Sequence, residues 1–168
     1  SQSTGLGGDD VLAKGSHHEI ALANGVGSMG VPADRQRVFD TFSARGFEFV
    51  TLCHHSAIIS ANVTLGEGVQ IMAGAIIQPG AIIGRNAIVN TGAQVDHDSE
   101  IGDHSHVAPN ATICGFVTIG VGVHVGAGAT VIQNLTIGDG ACIGAGAVVI
   151  DNCATGHTLG GVPAKVLK

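Results

Sequence analysis

The 168-residue chain contains 27 glycines, only 3% aromatic residues and a formal net charge of −6. That acidic balance, with Arg85 the sole Lys or Arg between residues 57 and 152, argues against a nucleic-acid partner. The mean hydropathy of +0.39 comes without any apolar run near the ~18 residues that cross a bilayer, and the four cysteines (Cys53, Cys114, Cys142 and Cys153) follow no paired spacing, so the expectation is a reduced, cytoplasmic protein with no membrane insertion.

In chain order, Glu19–Ala23 reads as a strand and Asn24–Gly30 as a glycine-rich loop. Pro32 suits a first helical turn. From there to Ala44, Val38, Phe39 and Phe42 share one helical face, and Gly46 is a natural C-terminal stop. Phe47–Leu52 reads as a second strand. The order strand, loop, helix, strand is one βαβ unit, too small to stand alone, so the chain is expected to open part-way through an α/β domain spanning residues 1–56. His17, His18, His54 and His55 have no evident partner in the pattern.

From 57 to 152 the chain changes character. An aliphatic residue falls at every sixth position from Ile59 to Val149, sixteen in all, and each is Ile, Val or Leu. Neither a helix nor an ordinary strand repeats with that period, whereas a hexapeptide solenoid does. Two residues before each anchor the side chain is small or modest (Ala75, Ala81, Ala87, Ala93), which fills a narrow interior. Three residues after it stands Gly or Asn in thirteen of the sixteen units, the types that tolerate positive φ. Each unit is therefore a short strand and a sharp turn. Three units close a triangular coil of eighteen residues, and stacked coils pair as parallel strands about 4.8 Å apart, giving about five coils and a 153–168 tail.

The three units that lack Gly or Asn at the turn carry Asp98, His104 and Phe116. They lie close together, and sequences depart from local rules mainly at functional sites, so this cluster is the first candidate for an active site.

The run from Val95 to Val107 (VDHDSEIGDHSHV), the upstream segments LCHHSA (52–57) and IALANGVGS (20–28), and the closing GGVPAK (160–165) resemble bacterial hexapeptide-repeat sugar acetyltransferases. These are the nucleotide-amino-sugar N-acetyltransferases and the related sialic acid O-acetyltransferases. The resemblance implies a mainly β protein. A left-handed parallel β-helix, acetyl-CoA-binding and trimerising, would follow a partial α/β sugar-nucleotide-binding domain. The expected reaction moves an acetyl group from acetyl-CoA to the amine of a nucleotide-linked amino sugar, in a homotrimer and with no metal. Sugar O-acetylation is the runner-up.

Residue by residue, the resemblance makes His97 the general base and Asp98 the acidic neighbour that raises its basicity. His106 maps onto a position that contacts acetyl-CoA, Ala127 and Ala145 onto positions whose backbone does so, and Ala23, Asn24 and Gly25 onto the sugar-nucleotide loop. Ser99 stands where the family has Cys, at what reads as an outward or turn position. Independently of the family, Gly115 lies eighteen residues after His97, one rung along the prism, where its N–H is a candidate oxyanion donor. Bland readings stand beside these: His97 as a surface turn histidine, Gly115 as a turn glycine, Ala127 and Ala145 as packing residues, and Lys165 and Lys168 as solvated tail cations. A different class also stays open. Gamma-class carbonic anhydrases share this solenoid and bind Zn²⁺ through three histidines, for which His106, His124 and His104 are the candidates.

Overall fold

The computed structural model describes residues 20–28, 30 and 32–167. Glu19, His17, His18 and Lys168 lie outside that set.

A parallel solenoid dominates the chain, built of two-residue strands on three faces. The first face stacks six strands, beginning at Ile58–Ile59 and ending at Val148–Val149. On the second, five strands run from Thr64–Leu65 to Thr136–Ile137, and the third face begins at Leu52–Cys53 and includes His106–Val107. Register is eighteen residues at each step up to Val148–Val149, as in Gln94↔Thr112 and Val95↔Ile113. The anchors from Ile71 to Val149 are almost wholly buried, with the inward alanines between them, in one continuous core. Fifteen of the sixteen turn positions have positive φ, Asn152 being the exception.

Both ends of the repeat differ from the sequence reading. Leu52–Cys53 pairs with Gln70–Ile71 at the eighteen-residue spacing, so the solenoid begins there and Leu52 belongs to it. The second expected strand is thereby cut to Glu48–Phe49. At the far end Cys153 bridges Ile137, and Thr158 and Leu159 pair with Cys142 and Ile143. Those pairs are sixteen residues apart, so the last coil is two residues short. Lys165–Val166 then turns back antiparallel onto Leu159–Gly160. The tail is thus the final coil and a strand lying across the open end, which shields the edge a solenoid would otherwise expose.

The N-terminal part comprises strand β1 (Ala21–Leu22), helix α1 (Ala33–Ser43) and strand β2 (Glu48–Phe49), with β1 and β2 parallel. Helix α1 lies along the solenoid corner formed by Gly68, Asn86, His104 and Gly122. A Cβ on Gly68 would sit 2.9 Å from Phe49 Cβ and 3.1 Å from Phe39 Cε2, so the helix can approach only because that turn carries no side chain. The expected apolar face is present only in part. Phe39 is buried, Val38 and Phe42 half-buried, and the other fully buried position is the charged Arg35. Arg35 donates from Nε to Asn86 O at 2.9 Å and from one terminal nitrogen to Asn24 O and Val26 O, both at 2.8 Å. It staples the Asn24 loop to the prism, and burial pushes its guanidinium down to about 10.

Candidate active site

His97 sits on the corner that follows the first-face strand Gln94–Val95. Its Nδ1 is 3.0 Å from Asp98 Oδ2. A carboxylate only accepts, so Nδ1 carries the proton and Nε2 presents a lone pair. Asp98 adopts φ +54, and a Cβ on Gly80, one rung below, would collide with its Oδ1. The glycine makes room for the carboxylate. One rung above, a Cβ on Gly115 would stand 2.8 Å from His97 Nε2, so the absence of a side chain there lets the imidazole lie against the backbone. The Gly115 carbonyl accepts from Asn134 N at 3.1 Å, whereas its N–H has no acceptor among the described residues. Phe116, in the left-handed region at φ +58, stands edge-on to His97 with ring centroids 5.1 Å apart. A shallow groove lined by Ile76, Gln78, Gln94 and Thr112 leads up the first face to Asp96. Ser99 is fully buried, not outward. Its hydroxyl donates to Cys114 O at 2.9 Å and accepts from Val117 N at 3.2 Å, as an inward residue in the same column as Ala93 must if its polar atom is to be satisfied.

His106 lies half a coil away, on the third face, and is 7% exposed. Asn90 Oδ1 accepts from Thr91 N at 2.7 Å, which orients its amide so that Nδ2 donates to His106 Nε2 at 3.0 Å. The His106 proton is therefore on Nδ1, which faces Ser28 Oγ at 2.7 Å and Ser28 O at 3.2 Å. Burial pushes His106 down to about 4, with a further push from the neighbouring His124, so it is neutral at physiological pH. Ala127 and Ala145 lie exposed on one edge, linked by Gly146 N donating to Ala127 O at 2.9 Å. Ala23 and Gly25 are exposed on the loop, while Asn24 is buried and spends its side chain on Arg35 O, Asn86 Oδ1 and Val26 N.

The zinc arrangement does not assemble. His106 and His124 do lie on adjacent rungs, their rings edge-on with centroids 5.1 Å apart. His104, however, accepts from Asn86 Nδ2 at 3.0 Å and packs against Phe39 at 5.6 Å on the helix corner. Both ring nitrogens of His106 are already engaged. Among the described residues no group of three or more His, Cys, Asp or Glu is placed to hold a metal.

Ser28, Asn90 and Arg35 were not singled out by the sequence. Ser28 and His106 are 78 positions apart, and no periodicity connects a loop serine to a repeat histidine.

The profile of the bacterial transferase hexapeptide family (six repeats) matches residues 62–97 and 80–115. Among solved structures, the acetyltransferase domain of PglB from Neisseria gonorrhoeae FA1090 in complex with acetyl coenzyme A is 31% identical, with a TM-score of 0.89 over 99% of this chain and 82% of that one. PerB from Caulobacter crescentus, solved with CoA and GDP-perosamine, is 40% identical, with a TM-score of 0.81 over 83% of this chain and 68% of that one. The chain belongs to the hexapeptide-repeat sugar N-acetyltransferases. WeeI from Acinetobacter baumannii AYE matches at 28% identity and a TM-score of 0.79, over 83% of this chain and 68% of that one. Two further structures from Caulobacter crescentus, of a GDP-perosamine N-acetyltransferase and a perosamine N-acetyltransferase, carry alanine and asparagine respectively in place of one histidine. A search of curated protein sequences found no match.

Proposed function

We propose that this chain transfers the acetyl group of acetyl-CoA to the amine of a nucleotide-linked amino sugar, with His97 as general base. The observation that carries the reading is the alignment of Asp98, His97 and Gly115: a carboxylate holding Nδ1–H at 3.0 Å, and Nε2 free beside a backbone without a side chain. Relatives solved with acetyl-CoA, and with CoA and GDP-perosamine, support the choice of both substrates.

In this mechanism the amine attacks the thioester carbonyl while His97 Nε2 takes its proton. The Gly115 N–H receives the developing oxyanion. As the C–S bond breaks, the imidazolium returns the proton to the departing CoA thiolate. No covalent enzyme intermediate forms. Holding the two substrates together makes the attack effectively intramolecular.

His106, Ala127 and Ala145 take acetyl-CoA, and Ala23 and Gly25 edge the sugar-nucleotide site, with Asn24 fixing their loop. His97 and His106 lie nine residues apart in a coil of eighteen, on different parts of the prism. That separation supports a homotrimer with the solenoids side by side, where one subunit's His97 corner meets a neighbour's acetyl-CoA face. The left-handed sense and a cytoplasmic location follow from the family resemblance alone. The α/β segment ahead of Leu52 would then serve the sugar nucleotide, and the solenoid from Leu52 onward would bind acetyl-CoA and trimerise. The 153–168 tail would close its end.

The test is to incubate the protein with acetyl-CoA and a panel of nucleotide-linked amino sugars, GDP-perosamine among them, and to follow free-thiol release. Thiol release dependent on one amino sugar is expected. Release with hydroxyl sugars only, or with none, would reject the reading.

A further inference from the structure

Two of the three unusual turn residues are explained by their contacts. Asp98 holds His97 Nδ1, and His104 joins Asn86 and Phe39 beneath helix α1. Phe116 is not explained by packing. It is 56% exposed, and its ring contact is with His97, edge-on at 88°. A bulky side chain at φ +58 is costly where Gly or Asn would be relaxed, and an exposed ring gains little burial in return.

We infer that Phe116 forms the apolar wall of the acceptor subsite, on which the C–H face of the amino sugar's ring rests while its amine meets His97 Nε2. The inference rests on the reading of His97 as the base. An aromatic face offers a pyranose a broad apolar contact without competing for its hydroxyls. At this corner the ring stands against the imidazole, one residue beyond the Gly115 amide. Phe116 is thus a specificity-determining residue that fixes which side of the sugar faces the base.

The experiment uses the full chain and the nucleotide-linked amino sugar from the panel that it acetylates fastest. Phe116→Gly is expected to raise the KM for the sugar by about ten-fold, the loss of one aromatic contact, with a smaller fall in kcat and an unchanged KM for acetyl-CoA. Its Tm should rise, since glycine is relaxed at this φ. Phe116→Leu, which keeps bulk without the ring, should fall between. An unchanged sugar KM in Phe116→Gly, a loss confined to kcat, or a change in oligomer mass by light scattering would overturn the inference. Failure of the base assignment looks different, as His97→Ala retaining turnover. If no panel member is acetylated, the parent reading falls and this one with it.

Discussion

The point at which a Gly115 Cβ would stand is 2.8 Å from His97 Nε2 and 2.9 Å from Cε1. Gly115 does not occupy the left-handed region, so alanine suits its backbone and the conflict is with the imidazole alone. Gly115→Ala is therefore expected to keep its Tm, because a side chain half-exposed to solvent can swing aside, while kcat falls about 10²-fold from misplacement of the base. Paired thermal melts and turnover measurements decide it. A large drop in Tm would mean that the glycine serves folding.

Asp98→Asn separates orientation from charge-free packing. Asparagine tolerates the φ of +54 at that turn, so stability should hold. Its amide, though, can donate to Nδ1 and favour the tautomer whose Nε2 carries the proton, which cannot accept one from an amine. A fall in kcat of about 10² to 10⁴-fold is expected, the size of a lost general base. Turnover near that of the native chain would show that Asp98 does not set the tautomer.

His106 makes stability depend on pH. Its folded value of about 4 lies below the ordinary 6.5, so the unfolded chain binds more protons between those values. Stability is full above about 6.5 and is lost as pH falls towards 4, by up to about 3 kcal/mol for a shift of this size. Burial lowers His104 and His124 too, which adds in the same direction. Denaturant melts from pH 7 to pH 4 should show the decline, and His106→Gln should flatten it. An equal slope in that variant would remove His106 as a cause.

The central prism was legible because its units from Ile59 to Val149 obey one spacing and the inward columns hold small or aliphatic residues. Its ends were not. Cys53 fills an anchor position with a thiol, and the two residues missing after Val149 shift the final coil out of step. The candidate corner was legible as a breach of the turn rule at Asp98 and Phe116. What could not be read was anything fixed by contact between distant segments. Arg35 looks like a solvated helix charge until its guanidinium is seen to satisfy the carbonyls of Asn24, Val26 and Asn86. Likewise Ser28 is an ordinary loop serine until it meets His106. Ser99 was misplaced for a simpler reason: its column is inward, and a hydroxyl there hydrogen-bonds to the backbone instead of turning outward.

The base assignment at His97 is tested most directly by His97→Ala in the full chain, with kcat measured at saturating acetyl-CoA and amino sugar and with CoA affinity measured separately. The account predicts a kcat lowered by about 10² to 10⁴-fold with CoA binding unchanged, since His97 acts on the amine and does not hold the cofactor. A variant that keeps most of its turnover at neutral pH would contradict it.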